Sequence, residues 1–308
     1  MTFLYKSDPV RGRVWQEVFA QRAPQLDFRI WPDAGDPGCV KFIAAWALPP
    51  LDLRDYPRLE VVFCTGAGID KLGLAQIPGN VQVVRMIEPG LTAGMVEYVT
   101  LAVLSLHRDW QAYASQQRER VWKELPVLPA RARRVGVMGL GELGIAVTKA
   151  LRGLGFNCHG WSRSPKRVTG VECHHGADGL DDFLSCCDYL VCLLPLTPQT
   201  RGLLNRRLFA RLPRGAAVIN VGRGAQLIQD DLVAALDEGQ IGAAILDVCD
   251  PEPLPAGHPL WSHPRVVITP HIASETQPGT AAPAVLDNIA RHQRGEPMLG
   301  LIDRQRGY

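Results

Sequence analysis

The chain has 308 residues, 46% of them hydrophobic and 21% charged, enough for one large domain or two ordinary ones with real cores, which excludes a disordered or fibrous protein. Lys and Arg number 33 against 31 Asp and Glu, a formal charge of +2, so no global positive excess draws it to nucleic acid or an anionic membrane. The partners expected are small molecules.

Residues 1–11 contain no long apolar stretch followed by a small-residue cleavage site, so no export signal is expected. The first hundred residues alternate strand-like runs at 3–5, 39–46 and 60–64 with turns containing Pro and Gly, which predicts a separate domain. A long helical segment follows at 94–121. Its apolar run, 96–106, is interrupted by Glu97 and Tyr98 and falls short of the roughly 20 residues of a bilayer span, so no membrane segment is expected. Residues 125–134, rich in Pro and Arg, read as a connector.

Beyond it, Val- and Ile-rich runs predict strands at 135–139, 156–161, 189–194, 217–221, 243–248 and 266–269, with helices between them. The helix 230–238, with an acidic start and Gly239 as its stop, has the clearest boundary signals. A last helix is expected at 281–293, and then a polar tail that returns to the first domain. The pattern is α/β with parallel sheets throughout. Eight cysteines, at 39, 64, 158, 173, 186, 187, 192 and 249, show no C-x-x-C spacing, and several lie in apolar runs, as thiols do in a reducing cytoplasm.

The predicted strand 135–139 runs into Gly139-Leu140-Gly141-Glu142-Leu143-Gly144 and then a helix. In that context a GxGxxG has a mechanism: one glycine for the tight turn, one for close approach of a pyrophosphate, one for helix-to-strand packing, and a helix N-terminus for the phosphates. An acid at the end of the next strand would hold the ribose hydroxyl of NAD. Here that position reads Trp161-Ser162-Arg163-Ser164, followed by Lys166 and Arg167, which suits the 2′-phosphate of NADP(H) and predicts its preference over NAD(H).

Ligands of an open parallel sheet bind beyond the carboxyl ends of its strands. Arg223, Glu252 and His271 each follow a predicted strand on that rim, and Asp247 ends one. A cation, a carboxylate and an imidazole suit reduction of a 2-oxo acid: Arg223 to bind the carboxylate and polarise the oxo group, His271 to donate the proton, Glu252 to hold His271 protonated. Asp247 is placed to take the nicotinamide carboxamide. The other seven histidines are read as structural. Cys173, His174 and His175, and the adjacent Cys186 and Cys187, lack the paired spacing of a zinc site, so no metal is expected. The basic patches around Trp122 and at 131–134 read as solvated or dimer surface.

With these residues in place, the chain resembles the D-isomer-specific 2-hydroxyacid dehydrogenases, nearest their glyoxylate/hydroxypyruvate reductase branch. The resemblance runs from Thr65-Gly66-Ala67-Gly68-Ile69-Asp70 through Trp161-Ser162-Arg163-Ser164, Glu252-Pro253-Leu254-Pro255, Pro259-Leu260-Trp261 and Thr269-Pro270-His271-Ile272-Ala273 to Asp303-Arg304-Gln305-Arg306-Gly307-Tyr308. It implies a Rossmann coenzyme domain (99–274) inserted into a discontinuous, flavodoxin-like substrate domain (1–98 and 275–308), and a homodimer formed through the coenzyme domain. It implies a cofactor lining that includes Leu194, Pro195, Thr200, Val221, Gly222 and Ala273. Ala67 and Gly68 would bind the substrate carboxylate through backbone N–H groups, and Trp46 would wall the pocket. The implied activity is NADPH-dependent reduction of glyoxylate to glycolate and of hydroxypyruvate to D-glycerate. Two alternatives stand beside it: a dinucleotide-sensing binding protein without turnover, and a dehydrogenase of another small anion such as formate or phosphite, against which Glu252 argues.

Overall fold

The computed structural model describes all residues, Met1–Tyr308. In chain order the elements are β1 (Thr2–Lys6), α1 (Pro9–Arg22), β2 (Asp27–Ile30), β3 (Val40–Ala45), β4 (Val61–Cys64), β5 (Gln82–Val84), α2 (Pro89–His107), α3 (Trp110–Glu119), β6 (Arg134–Met138), α4 (Glu142–Gly153), β7 (Asn157–Ser162), β8 (Glu172–His175), α5 (Leu180–Ser185), β9 (Tyr189–Cys192), α6 (Arg206–Phe209), β10 (Ala216–Asn220), α7 (Gln229–Asp237), β11 (Ile241–Leu246), β12 (Val266–Ile268) and α8 (Pro278–Gln293).

The chain divides into two compact units, Met1–Thr92 with Glu275–Tyr308, and Ala93–Ser274. The first break falls inside α2 rather than at 98/99, because Met95 and Val99 already lie in the core of the second unit. The single helix expected at 94–121 is two, α2 and α3, parted at Asp109, which takes a left-handed φ of 51°.

The first unit is a parallel sheet of order β2-β1-β3-β4-β5, the flavodoxin-like winding. Its central strands are buried apart from Lys6 and Lys41, and β4, buried at every position, reads Val-Val-Phe-Cys with no polar alternation. Phe3, Trp15, Phe19 and Phe28 pack as an aromatic cluster between the sheet and α1, and α1 lies against α8. Asp8 starts α1 by accepting from the Arg11 N–H at 2.8 Å. The buried Glu88 carboxylate accepts from Gly90 and Leu91 N–H at 2.6 and 2.7 Å and from Gln277 N–H at 3.1 Å, so one side chain caps α2 and α8. The C-terminal tail does return: Leu301 bridges Val84, and the Arg304 guanidinium donates to the Ile77, Pro78 and Val81 carbonyls.

The second unit is a seven-stranded parallel sheet of order β12-β11-β10-β9-β6-β7-β8, the Rossmann order with one strand added. The winding reverses between β6 and β9, and the crevice beyond their carboxyl ends is the switch point where such sheets take ligands. At 19 residues with a mean hydropathy of 1.3, α2 is long and apolar enough to cross a membrane by length and composition. That corrects the estimate from the run 96–106: the helix gains uncharged residues at its N-terminal end. Its Val99, Ala102 and Val103 are buried in the core of this unit.

Candidate active site

Gly139 follows β6 with φ of +109°, which a residue bearing a Cβ rarely adopts, and its N–H donates to the Trp161 carbonyl at 2.8 Å. A Cβ on Gly144 would stand 1.8 Å from the Gly139 carbonyl oxygen, so the third glycine lets α4 pack against the turn. Gly141 differs: a Cβ there would meet nothing within 4 Å. Gly141 is the N-cap of α4 and has no side chain to cap it, so open space lies over the first N–H groups of a 12-residue helix. This cradle fits a pyrophosphate. The buried Leu140 faces inward against Gly160, Glu142 is exposed and Leu143 half-buried, so backbone rather than side chains is offered to a ligand.

At the end of β7, Ser162 is buried and its hydroxyl donates to the Ser164 carbonyl at 2.8 Å. Its proton is therefore committed to the turn, and Arg163, Ser164, Lys166 and Arg167 are the exposed groups. No carboxylate stands there.

On the rim, the residues following β10, β11 and β12 form a bonded network. Asn220 is fully buried; its side chain accepts from Gly222 N–H at 3.2 Å and donates to the Arg223 carbonyl at 3.2 Å. The fully buried Gln226 amide accepts from Arg223 N–H at 2.8 Å and donates to the Leu194 and Pro195 carbonyls at 3.0 and 3.1 Å. Thr200 donates to the same Pro195 carbonyl at 2.7 Å. Half-buried Arg223 donates to the Gly222 carbonyl at 2.8 Å, and Val221 is buried behind it. A Cβ on Gly224 would stand 1.9 Å from the Cys249 carbonyl, so the Arg223 loop packs directly on the loop leading to Glu252.

His271 Nδ1 lies 3.0 Å from Glu252 Oε2, with both side chains about one-third exposed. His271 holds a left-handed φ of 57°, a conformation that costs a non-glycine residue about 1–2 kcal/mol. Asp247 secures it. Its carboxylate accepts from Thr269 Oγ1 at 2.6 Å and from Ile272 and Ala273 N–H at 2.8 Å each, and its carbonyl accepts from His271 N–H at 2.8 Å. Asp247 is thus buried, and its carboxylate holds the loop that carries His271. Tyr98 of α2 reaches the same network, 2.5 Å from Thr269 Oγ1; burial pushes its phenol up to about 12, so it stays protonated, and because Thr269 gives its own proton to Asp247, Tyr98 is the donor. The Cys249 thiol is pushed up to about 11 by burial and by the Glu252 and Asp247 carboxylates, so it stays protonated beside the pair.

Gln226 and the role of Tyr98 were not singled out from the sequence, whereas Asn220 falls in a strand-end segment that the resemblance implies lines the cofactor. Asn220 and Gln226 flank Arg223 within a strand-end segment, a signal that existed; Tyr98, 171 residues from its partner, offered none. In the first unit, Trp46 follows β3 and Ala67 and Gly68 follow β4, so they too lie beyond the carboxyl ends of parallel strands. A Cβ on Gly66 would stand 2.3 Å from the Trp46 ring, and the Gly68 carbonyl accepts from the Cys64 thiol at 3.3 Å.

Residues 100–273 match the family model described as D-isomer specific 2-hydroxyacid dehydrogenase, NAD binding domain. Over 301 residues the chain is 40% identical to glyoxylate/hydroxypyruvate reductase A of Serratia proteamaculans, covering 96% of each. A D-isomer specific 2-hydroxyacid dehydrogenase from Xanthobacter autotrophicus, solved with NADPH and MES, superposes with a TM-score of 0.95 at 41% identity, covering 100% of this chain and 99% of that one. An NADPH-dependent glyoxylate/hydroxypyruvate reductase from Sinorhizobium meliloti, solved with NADP and sulfate, gives a TM-score of 0.93 at 34% identity with the same coverage.

Proposed function

From the premise that this chain belongs to the D-isomer specific 2-hydroxyacid dehydrogenase family, we propose that it reduces small 2-oxo acids with NADPH, glyoxylate to glycolate and hydroxypyruvate to D-glycerate. The observation that carries the reading is the 3.0 Å pair of His271 and Glu252, with the Arg223 loop packed beside it on the strand-end rim. Bound at the Gly139–Gly144 turn, the dinucleotide supplies a hydride to C2 of the oxo acid. His271 supplies the proton: Glu252 accepts from Nδ1–H, so Nε2 faces outward and carries the proton given to the developing alkoxide. Arg223 binds the substrate carboxylate and polarises the oxo group. The N–H groups of Ala67 and Gly68 are further carboxylate donors, with Trp46 as a pocket wall. Leu194, Pro195, Thr200, Val221, Gly222 and Ala273 line the cofactor, and Asp247 acts as a positioning residue for the His271 loop.

NADP(H) is preferred because the end of β7 offers exposed Arg163 and Ser164 and no acid to repel a phosphate. The solved relatives that hold NADPH or NADP support this. The protein works as a homodimer in the cytoplasm, where its eight cysteines stay thiols.

The test is oxidation of NADPH and of NADH with glyoxylate, hydroxypyruvate, pyruvate and a bulkier 2-oxo acid. Turnover with the first two is expected, with NADPH at least about tenfold better in kcat/KM, the worth of one charge-assisted hydrogen bond. Tight NADPH binding without turnover on any of the four would replace the reductase by a dinucleotide-sensing binding protein.

A further inference from the structure

At the edge of the seven-stranded sheet, β8 pairs only with β7, and His159 stands opposite Glu172 while Trp161 stands opposite His174. Side chains two apart on a strand share a face, so His159, Glu172 and His174 converge. Glu172 Oε2 is 3.5 Å from His159 Nδ1, Glu172 Oε1 is 3.6 Å from His174 Nε2, and the ligand atoms of the three all lie within 4.8 Å of one another. The two imidazoles are stacked, with centroids 6.1 Å apart.

The polar atoms in this cluster are not satisfied. His159 is 4% exposed and both its ring nitrogens are buried without a hydrogen-bond partner, as is His174 Nε2. Imidazole always presents a donor or an acceptor at each nitrogen, and buried nitrogens without partners are rare in folded proteins. We propose that His159, Glu172 and His174 bind a divalent transition-metal ion of the zinc type, with a fourth position for water.

A tetrahedral zinc with ligands at about 2.0–2.2 Å sets neighbouring ligand atoms about 3.4 Å apart; each imidazole here lies at about that distance from one of the two Glu172 oxygens, and the whole set, within 4.8 Å, tightens by side-chain rotation of the exposed Glu172. Two imidazoles and a carboxylate suit zinc, cobalt or nickel, whereas magnesium and calcium require oxygen ligands. Besides Glu172 and His174, Arg134 and Asp188 act electrostatically on His159, and these two pair with each other at 3.0 Å, so their charges cancel. The Glu172 side chain is exposed, which gives the ion a way in. The metal would staple the edge strand to the sheet: His175, the last residue of β8, pairs with Ser162, where the turn carrying Arg163 and Ser164 begins. Spacing conceals the set, since its members come from two strands and no C-x-x-C or H-x-x-H pair announces it.

The experiment uses full-length, tag-free protein stripped with chelator and titrated with Zn2+ by calorimetry, with Co2+ absorption as a second readout. Expected are about one equivalent bound, a tetrahedral Co2+ spectrum, and a Tm raised by about 5 °C at a hundredfold excess over Kd, with no rise in Mg2+. His174→Ala and Glu172→Gln, both on the edge strand, should each weaken Zn2+ by at least about tenfold. Absence of Zn2+ binding to the native chain overturns the proposal, and so does binding undiminished in both variants, which would assign the ion to exposed thiols such as Cys39.

Discussion

Gln226 carries no charge and no reactive atom, yet the position of Arg223 depends on it. Its amide satisfies one N–H and two carbonyls on two different loops, all in a fully buried place where an unmet polar group costs about 1–3 kcal/mol. His271 is the converse, a one-third-exposed group on the rim that packs little and is the proposed proton donor. The two should therefore separate in experiment. Gln226→Met, similar in size but without hydrogen bonds, should lower Tm by several degrees and reduce both turnover and NADPH affinity. His271→Asn should leave Tm and NADPH affinity nearly unchanged while kcat for glyoxylate falls by about 10²–10⁴, the usual worth of a positioned general acid. Thermal melts, NADPH fluorescence titration and steady-state rates read the difference. A Gln226→Met protein with native Tm would mean that the buried amide does not hold the two loops, and a His271→Asn protein with native kcat would remove His271 as proton donor.

At the scale of the element, the β6–α4 turn shows what one glycine does against another. Gly144 is needed by the fold, because its Cβ would collide with the Gly139 carbonyl; a Cβ on Gly141 meets nothing in the chain and would instead enter the space proposed for the pyrophosphate. Gly144→Ala should destabilise the protein, lowering Tm by several degrees as α4 moves off β6. Gly141→Ala should keep the native Tm and lose NADPH affinity by at least about tenfold, which fluorescence titration measures. Equal effects in the two variants would contradict the division of labour. This turn was legible in the sequence because strand, glycines and helix coincide within a dozen residues. The strands that escaped notice, β2, β5 and β8, are all sheet edges, where Asp-Phe-Arg-Ile, Gln-Val-Val and Glu-Cys-His-His lack the continuous apolar run of a strand buried on both faces. The break between α2 and α3 was hidden because Arg108 and Asp109 are unremarkable helix residues until Asp109 turns left-handed. The carboxylates in the site were legible, and Glu252 pairs with His271 as its spacing suggested; that Asp247 also bonds its own loop only the three-dimensional placement of Ile272 and Ala273 could reveal.

On the scale of the whole molecule, the second unit carries an apolar surface that nothing in the chain covers. Leu101 of α2, Trp110 and Tyr113 of α3, and Val121, Trp122, Val127 and Leu128 beyond it are all exposed, and Trp122 completely so. The segment is nevertheless ordered: α3 closes with the Val121 N–H donating to Gln116 at 2.8 Å, and Leu125 N–H donates to the Tyr113 hydroxyl at 2.9 Å. α3 has no buried residue at all, so tertiary packing within one chain does not explain why it forms. An ordered arm showing two tryptophans and several aliphatic side chains to water is what a protein interface leaves behind when its partner is removed. A second copy of this chain is the occupant that needs no further component, and a stable pair needs about 800 Å² from each partner, which an arm of this length can supply. Light scattering after gel filtration should therefore give twice the 33.8 kDa of one chain at micromolar concentration. Trp122→Asp combined with Trp110→Asp should give the single-chain mass with the second unit still folded, because neither residue is buried in it and a charge at the centre of an apolar interface has no partner. A native protein that runs as a monomer would show that the arm serves something other than self-association, and a double variant that stays dimeric would place the interface elsewhere on the surface.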